Sequence, residues 1–105
     1  MPQFDVYRNI NPATRARVPY LLDVQSDLLE TLLTRVVAPL YRPDVTKRNV
    51  ISRLNPIFAI GGKEFVMLTP ELAGVPGTSL GKRIGNLSAQ RTEIHAALDL
   101  VFTGI

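Results

Sequence analysis

The sequence predicts a mainly β, α+β fold: several antiparallel strands followed by one C-terminal helix. Three observations predict it. Short apolar segments with two-residue alternation or β-branched runs recur from Phe4 to Ile84. A Gly61-Gly62 pair separates two of them. The apolar spacing lengthens to a helical period only from Leu87 onward. Strands and helices do not alternate, so the pattern does not build a parallel sheet, and there is no internal repeat or low-complexity segment.

The elements follow in order. Phe4 and Val6 alternate with Gln3, Asp5 and Tyr7 as a half-buried strand that ends before Pro12. After a polar segment from Pro12 to Arg17, the run from Val18 to Val24 resumes β character and makes a hairpin with a long tip. Thr34 to Leu40 is β-branched, and its Pro39 predicts an edge or a strand end, because proline cannot donate to a ladder. Ile57 to Ile60 and Phe65 to Leu68 flank the glycine pair as a second hairpin. Pro70 to Gly77 reads as turn without regular structure, and Thr78 to Ile84 as one more weak strand. In the last segment Leu87, Ile94, Leu98, Val101 and Ile105 share one helical face, Asn86 or Ser88 supplies an N-cap, and Gly104 a stop.

A chain of 105 residues with 46% hydrophobic and 20% charged side chains fits one folded domain spanning residues 1–105. It has no cysteine, which removes disulfides, thiolate catalysis and cysteine-bound metal and fits a reducing cytoplasm. Asp5 and Arg8 interrupt the N-terminal apolar residues, so neither a secretory leader nor a membrane span begins there.

Catalytic signals are thin. His95 is the single histidine, off the apolar stripe, and lacks the partners that a metal or an acid-base pair requires. Asp23 and Asp27 lie roughly 13 Å apart on an extended strand at about 3.3 Å per residue, too far for a dyad, and read as turn formers with Ser26. Gly81-Lys82-Arg83-Ile84-Gly85 lacks a complete phosphate-loop pattern and reads as a strand with solvated charges. The residues therefore call for no catalytic group, no metal and no cofactor.

Charge points more clearly to a partner. Twelve Lys and Arg against nine Asp and Glu give +3 at pH 7. Arg8, Arg15 and Arg17 group around the first hairpin tip, and Arg42, Lys47, Arg48 and Arg53 form a second group against Asp44 alone. Each reads as a solvated face unless the two meet in space, where they would suit an acidic peptide or a nucleic acid. Few aromatics stand beside them, which disfavours base stacking.

Four stretches resemble one family in its own order across nearly the whole chain. They are Asp23-Val24-Gln25-Ser26-Asp27-Leu28-Leu29, Arg35-Val36-Val37-Ala38-Pro39-Leu40, Met67-Leu68-Thr69 before Val75-Pro76, and the terminal Phe102-Thr103-Gly104-Ile105. They are similar to CcdB, the toxin of a toxin-antitoxin module. The resemblance implies a small, partly open antiparallel β-barrel of the CcdB/MazF type with a side sheet and a C-terminal helix, assembled as a homodimer. It further implies a non-enzymatic protein that binds the DNA gyrase A subunit and traps it with cleaved DNA. A CcdA-like antitoxin with a partly disordered C-terminal segment neutralises it, and operator DNA is met only through that complex.

Carried over by position, the gyrase-binding residues are Leu28, Leu29, Asp99, Phe102, Thr103, Gly104 and Ile105. The family pattern has asparagine where Asp99 stands and tryptophan where Thr103 stands. The basic groups Arg8, Arg15, Arg17, Arg42, Lys47, Arg48 and Arg53 are the expected antitoxin surface. By spacing alone Val101, Phe102 and Ile105 are a core face, and the resemblance reverses this for Phe102 and Ile105. Two alternatives stay open: an endoribonuclease on the same fold, and an adaptor that has lost poisoning.

Overall fold

A computed structural model describes residues 2–29, 31–45 and 52–104. Among the described residues seven strands form a curled, antiparallel half-barrel and one helix closes it. The strands are β1 (Asp5–Asn9), β2 (Tyr20–Asp23), β3 (Thr34–Tyr41), β4 (Ile57–Ile60), β5 (Lys63–Met67), β6 (Ala73–Pro76) and β7 (Leu80–Asn86), and the helix is α1 (Arg91–Thr103). Their order is β4-β5-β3-β2-β1-β7, with β6 attached to β3.

The two hairpins form where glycine and turn residues place them. Gly61 and Gly62 have φ of 60° and 81°, the pair of positive values a two-residue type I′ turn needs, and Ile60 pairs directly with Lys63. β1 and β2 pair with Val6 opposite Leu22. Chain ends meet at β7, where Asp5 lies opposite Asn86. Gly81 lets β7 approach β1 closely, since a Cβ there would stand 2.7 Å from Ile10 and 2.9 Å from the Arg8 carbonyl.

Three expectations need correction. Pro39 lies in the most connected strand, not at an edge: β3 pairs with β2 along one side, and on the other with β6 through Val37 and with β5 from Leu40. Pro39 falls at the fork between those partners. Its carbonyl accepts from the Leu68 amide on that side, so its missing N–H also faces the gap and no β2 bond is lost. The segment from Pro70 to Gly77 contains β6, whose pairing with β3 overrides its glycine and proline content. Strand β1 is buried on both faces, because Asp5 and Tyr7 are covered as fully as Val6.

The concave face carries the core. Phe4, Val6, Leu22, Val24, Ala38, Leu40, Phe58, Phe65 and Met67 pack under Leu87, Ile94 and Ala97. Each buried side chain of this size contributes roughly 1.5–3 kcal/mol. The expected N-cap is a further correction: α1 starts at Arg91 after Gln90 with no side-chain cap, because Asn86 ends β7 and Ser88 opens the turn before the helix, where Asn86 accepts from the Ser88 amide at 2.8 Å. Gly104, at φ 76°, ends the helix by donating to the Leu100 carbonyl.

The opposite face buries polar groups in pairs. Arg35 and Asp23, exposed by 1% and 0%, meet at 2.7 Å. Asp5 accepts from Tyr7 Oη at 3.2 Å, from Asn86 Nδ2 at 2.8 Å and from Arg83 Nε at 3.0 Å.

Candidate functional site

The β1–β2 loop is organised by its own side chains. Asn9 Nδ2 donates to Thr14 Oγ1 and to the Val18 carbonyl, at 2.9 and 2.8 Å, and Asn9 Oδ1 accepts from the Asn11 amide. Asn11 Oδ1 in turn accepts from Ala13. These local bonds hold a loop that has little apolar surface to bury. Arg42, just past β3, ties it down by donating its amide to the Arg17 carbonyl and Nε to the Ala16 carbonyl.

That arrangement brings Arg42 of the second basic group to Arg8 and Arg15 of the first. Arg8, Arg15 and Arg42 line one depression of about 270 Å³ with Asn9, Ile10 and Pro19, and no carboxylate lines it. Arg17 is exposed beside it. Arg53 lies elsewhere, in a depression with Glu93 and Ala96. Lys47 and Arg48 fall outside the described residues. Tyr41, one residue from Arg42, donates to Glu71, and burial together with that carboxylate pushes its phenol up to about 12.

The β2–β3 loop hangs from the buried ion pair. Asp23 receives Arg35 on one oxygen and the Gln25 amide, at 3.0 Å, on the other, so it is both a turn former, as the sequence predicts, and an ion-pair partner, which it does not. Burial raises the Asp23 carboxyl above the usual range, against the lowering by the Gln25 amide and Arg35. Gln25, itself buried, accepts from the Val36 amide at 3.0 Å and donates to the Leu29 carbonyl at 2.9 Å. Ser26 Oγ accepts from Leu28 and Asp27 from Gln3. The loop so held presents Leu28 and Leu33 at 92% and 90% exposure, with Leu29 and Leu32 about half exposed.

At the helix end Phe102 is 71% exposed, Asp99, Thr103 and Gly104 are exposed, and Val101 and Leu98 are half-buried. Thr103 Oγ1 is turned back onto the Asp99 carbonyl at 2.7 Å. Ile105 lies outside the described residues. The helix packs Ile94 and Ala97 onto the core of the sheet and also lies against the turn at Thr69–Glu71. His95 is exposed, its ring edge-on to Phe4 at 5.5 Å. Among the described residues no three His, Asp or Glu side chains converge as metal ligands, and no helix is long and apolar enough to cross a membrane.

The Gln25 clamp and the Asp23–Arg35 pair are the site features that sequence reasoning misses. Their only sequence signal is an arginine within a β-branched run, and it identifies Asp23 as a partner only once the strand register is known.

A model of the CcdB protein family matches residues 3–104. The chain belongs to the CcdB family. Solved structures extend the likeness of the fold. This CcdB-family chain superposes on an endoribonuclease from a mycobacterial species in complex with its cognate antitoxin, with TM-score 0.71 and 19% identity over 96% of this chain and 93% of the other. A second mycobacterial endoribonuclease gives TM-score 0.70 and 18% identity, over 96% and 89%.

Proposed function

We propose that this CcdB-family protein is the toxin of a toxin-antitoxin pair: a cytoplasmic, non-enzymatic homodimer that binds the DNA gyrase A subunit and traps the cleavage complex. The supporting observation is the family match over 102 residues, from 3 to 104, in a chain that holds Leu28 and Phe102 out to solvent. Large apolar side chains with such exposure cost solubility unless a partner covers them. Leu28, Leu29, Asp99, Phe102, Thr103, Gly104 and Ile105 are the gyrase-binding residues in this reading. Half-buried Leu98, Leu100 and Val101 supply apolar surface for the dimer. Arg8, Arg15, Arg17, Arg42, Lys47, Arg48 and Arg53 receive a CcdA-like antitoxin with an acidic segment.

Calorimetric titration against a gyrase A fragment tests it. Phe102→Ala should weaken binding by about 2 kcal/mol or more, the usual loss at an aromatic hot spot. Thr103→Trp should leave the fold intact, because Thr103 bonds only within its own helix among the described residues. Absence of binding by the unaltered chain sinks the gyrase reading.

A second reading is favoured by one observation. The fold is shared with endoribonucleases, and Arg8, Arg15 and Arg42 converge on a depression that a phosphate could enter. RNA cleavage that persists through purification, and is lost in Arg15→Gln, would replace the first reading.

A further inference from the structure

We infer that the turn from Pro2 to Asp5 is a positioning element of the recognition surface: Gln3 and Phe4 hold the loop that bears Leu28 and Leu29 in place against the helix that bears Asp99 and Phe102. What the surface recognises rests on the gyrase reading, and the brace itself does not.

Among the described residues Phe4 is the one non-glycine with a positive φ, 71°. The Pro2 carbonyl accepts from the Asp5 amide at 3.2 Å, which puts Phe4 at the third position of a turn, where a positive φ favours glycine. A bulky side chain keeps this conformation only where its surroundings over-determine it, and such strain gathers at sites that must hold one geometry. Glycine would relieve the backbone but lose the ring. That ring is 4% exposed, packs in the core with Leu87, Ile94 and Ala97, and meets His95 edge-on at 5.5 Å.

The bonds that over-determine the turn run in two directions. Toward β2 and the loop after it, Phe4 donates its amide to the Asp23 carbonyl at 2.6 Å and Gln3 donates its amide to Asp27 Oδ1 at 2.6 Å. Gln3 Nε2 also donates to the Val24 carbonyl at 3.1 Å. Toward the helix, the Phe4 carbonyl accepts from the Leu87 amide at 2.8 Å and the Gln3 carbonyl from Asn86 Nδ2 at 3.2 Å. Asp27 opens the turn that carries Leu28 and Leu29, and Leu87 precedes the turn that opens into α1. His95 shares one 13-residue helix with Asp99 and Phe102, so its contact with Phe4 fixes their position too. Two adjacent residues fasten both halves of a surface whose parts are far apart in the chain.

Gln3→Pro separates the brace from the fold. Proline suits the second position of such a turn, yet it lacks the amide that reaches Asp27 and the side chain that reaches Val24. Urea denaturation should show a nearly unchanged midpoint, whereas amide exchange at Leu28 and Leu29 should quicken about tenfold. Asp27→Ala removes the same bond from the exposed side and should quicken the same amides, so the result does not depend on the turn accepting proline. Affinity for a gyrase A fragment should fall about fivefold in Gln3→Pro, but by less than about twofold when the same change is made in a Leu28→Ala background, because the two act through one contact. His95→Ala, an exposed change that loosens the helix side, should weaken binding likewise and become silent in a Phe102→Ala background. Unaltered exchange at Leu28 and Leu29, or losses that persist in full in the double variants, overturns the proposal. If the unaltered chain does not bind gyrase A, the gyrase reading falls and the exchange rates alone decide the brace.

Discussion

Both loops that flank β2 are long and exposed, yet they are built to opposite ends. The β1–β2 loop carries arginines, and the bonds that hold it run among Asn9, Asn11, Thr14 and the backbone at the surface. The β2–β3 loop carries leucines and is anchored in the interior, through Gln25 to the Asp23–Arg35 pair. The difference teaches that apolar display needs the deeper anchor. Arginines on a loose loop still attract a partner at a distance, whereas exposed leucines on a loose loop would fold back onto the nearest apolar surface.

The largest break should come at the anchor. Arg35→Met strands the Asp23 carboxylate in the interior, and urea denaturation should show a loss of about 3–5 kcal/mol, the usual cost of breaking a buried pair from one side. A loss below about 1 kcal/mol would mean that the pair does not support the loop.

Tyr7, in the strand that leads into the basic loop, ranks next. Burial first, and Asp5 second, push its phenol from 10.0 up to about 12. The folded state therefore holds this proton more tightly than the unfolded chain does. The stability it contributes is complete below pH 10 and is lost as the pH rises toward 12, on the order of 3 kcal/mol in all. Alkaline unfolding curves should be steeper for the unaltered chain than for Tyr7→Phe. Coincident curves would discount the Asp5 network.

The two loops can then be compared directly. Gln25→Ala removes two bonds from a buried residue and should cost about 2 kcal/mol, against about 1 kcal/mol for Asn9→Ala nearer solvent. Amide exchange should quicken at Val36 in the first variant and at Asn11 in the second. Equal costs would erase the contrast between deep and shallow anchoring.

Leu28→Ala sharpens the comparison with the smallest structural effect. At 92% exposure the side chain contributes within about 0.5 kcal/mol to stability, so melting should barely move while gyrase A binding falls. Unchanged binding would remove Leu28 from the recognition surface.

Local features were legible in the sequence, and features that depend on register were not. Gly61-Gly62 specifies its hairpin from backbone geometry alone, and Ile94 announces the helix face through spacing. Strand β6 could not be read, since Ala73-Gly74-Val75-Pro76 has weak propensity and owes its extension to β3, almost forty residues earlier. The Asp23–Arg35 pair was hidden for the same reason. Helical spacing alone places Phe102 in the core, yet it is exposed, because the last turn of α1 runs past the sheet residues that cover Ile94 and Ala97. The meeting of Arg8 and Arg15 with Arg42 depended on how the loop folds back over the end of β3.

The pairing of Asp5 with Asn86 sets the order in which the molecule can come into being. β1 emerges first during synthesis, yet one of its two neighbours and the helix that covers its core face are made last. Contacts of such long sequence separation form late and slowly, in milliseconds to seconds for β-rich domains. A nascent chain that stops before β7 should show no cooperative unfolding, and a cooperative transition there would contradict this ordering. A chain cut short before β7 would leave one edge of β1 unpaired and its core face uncovered.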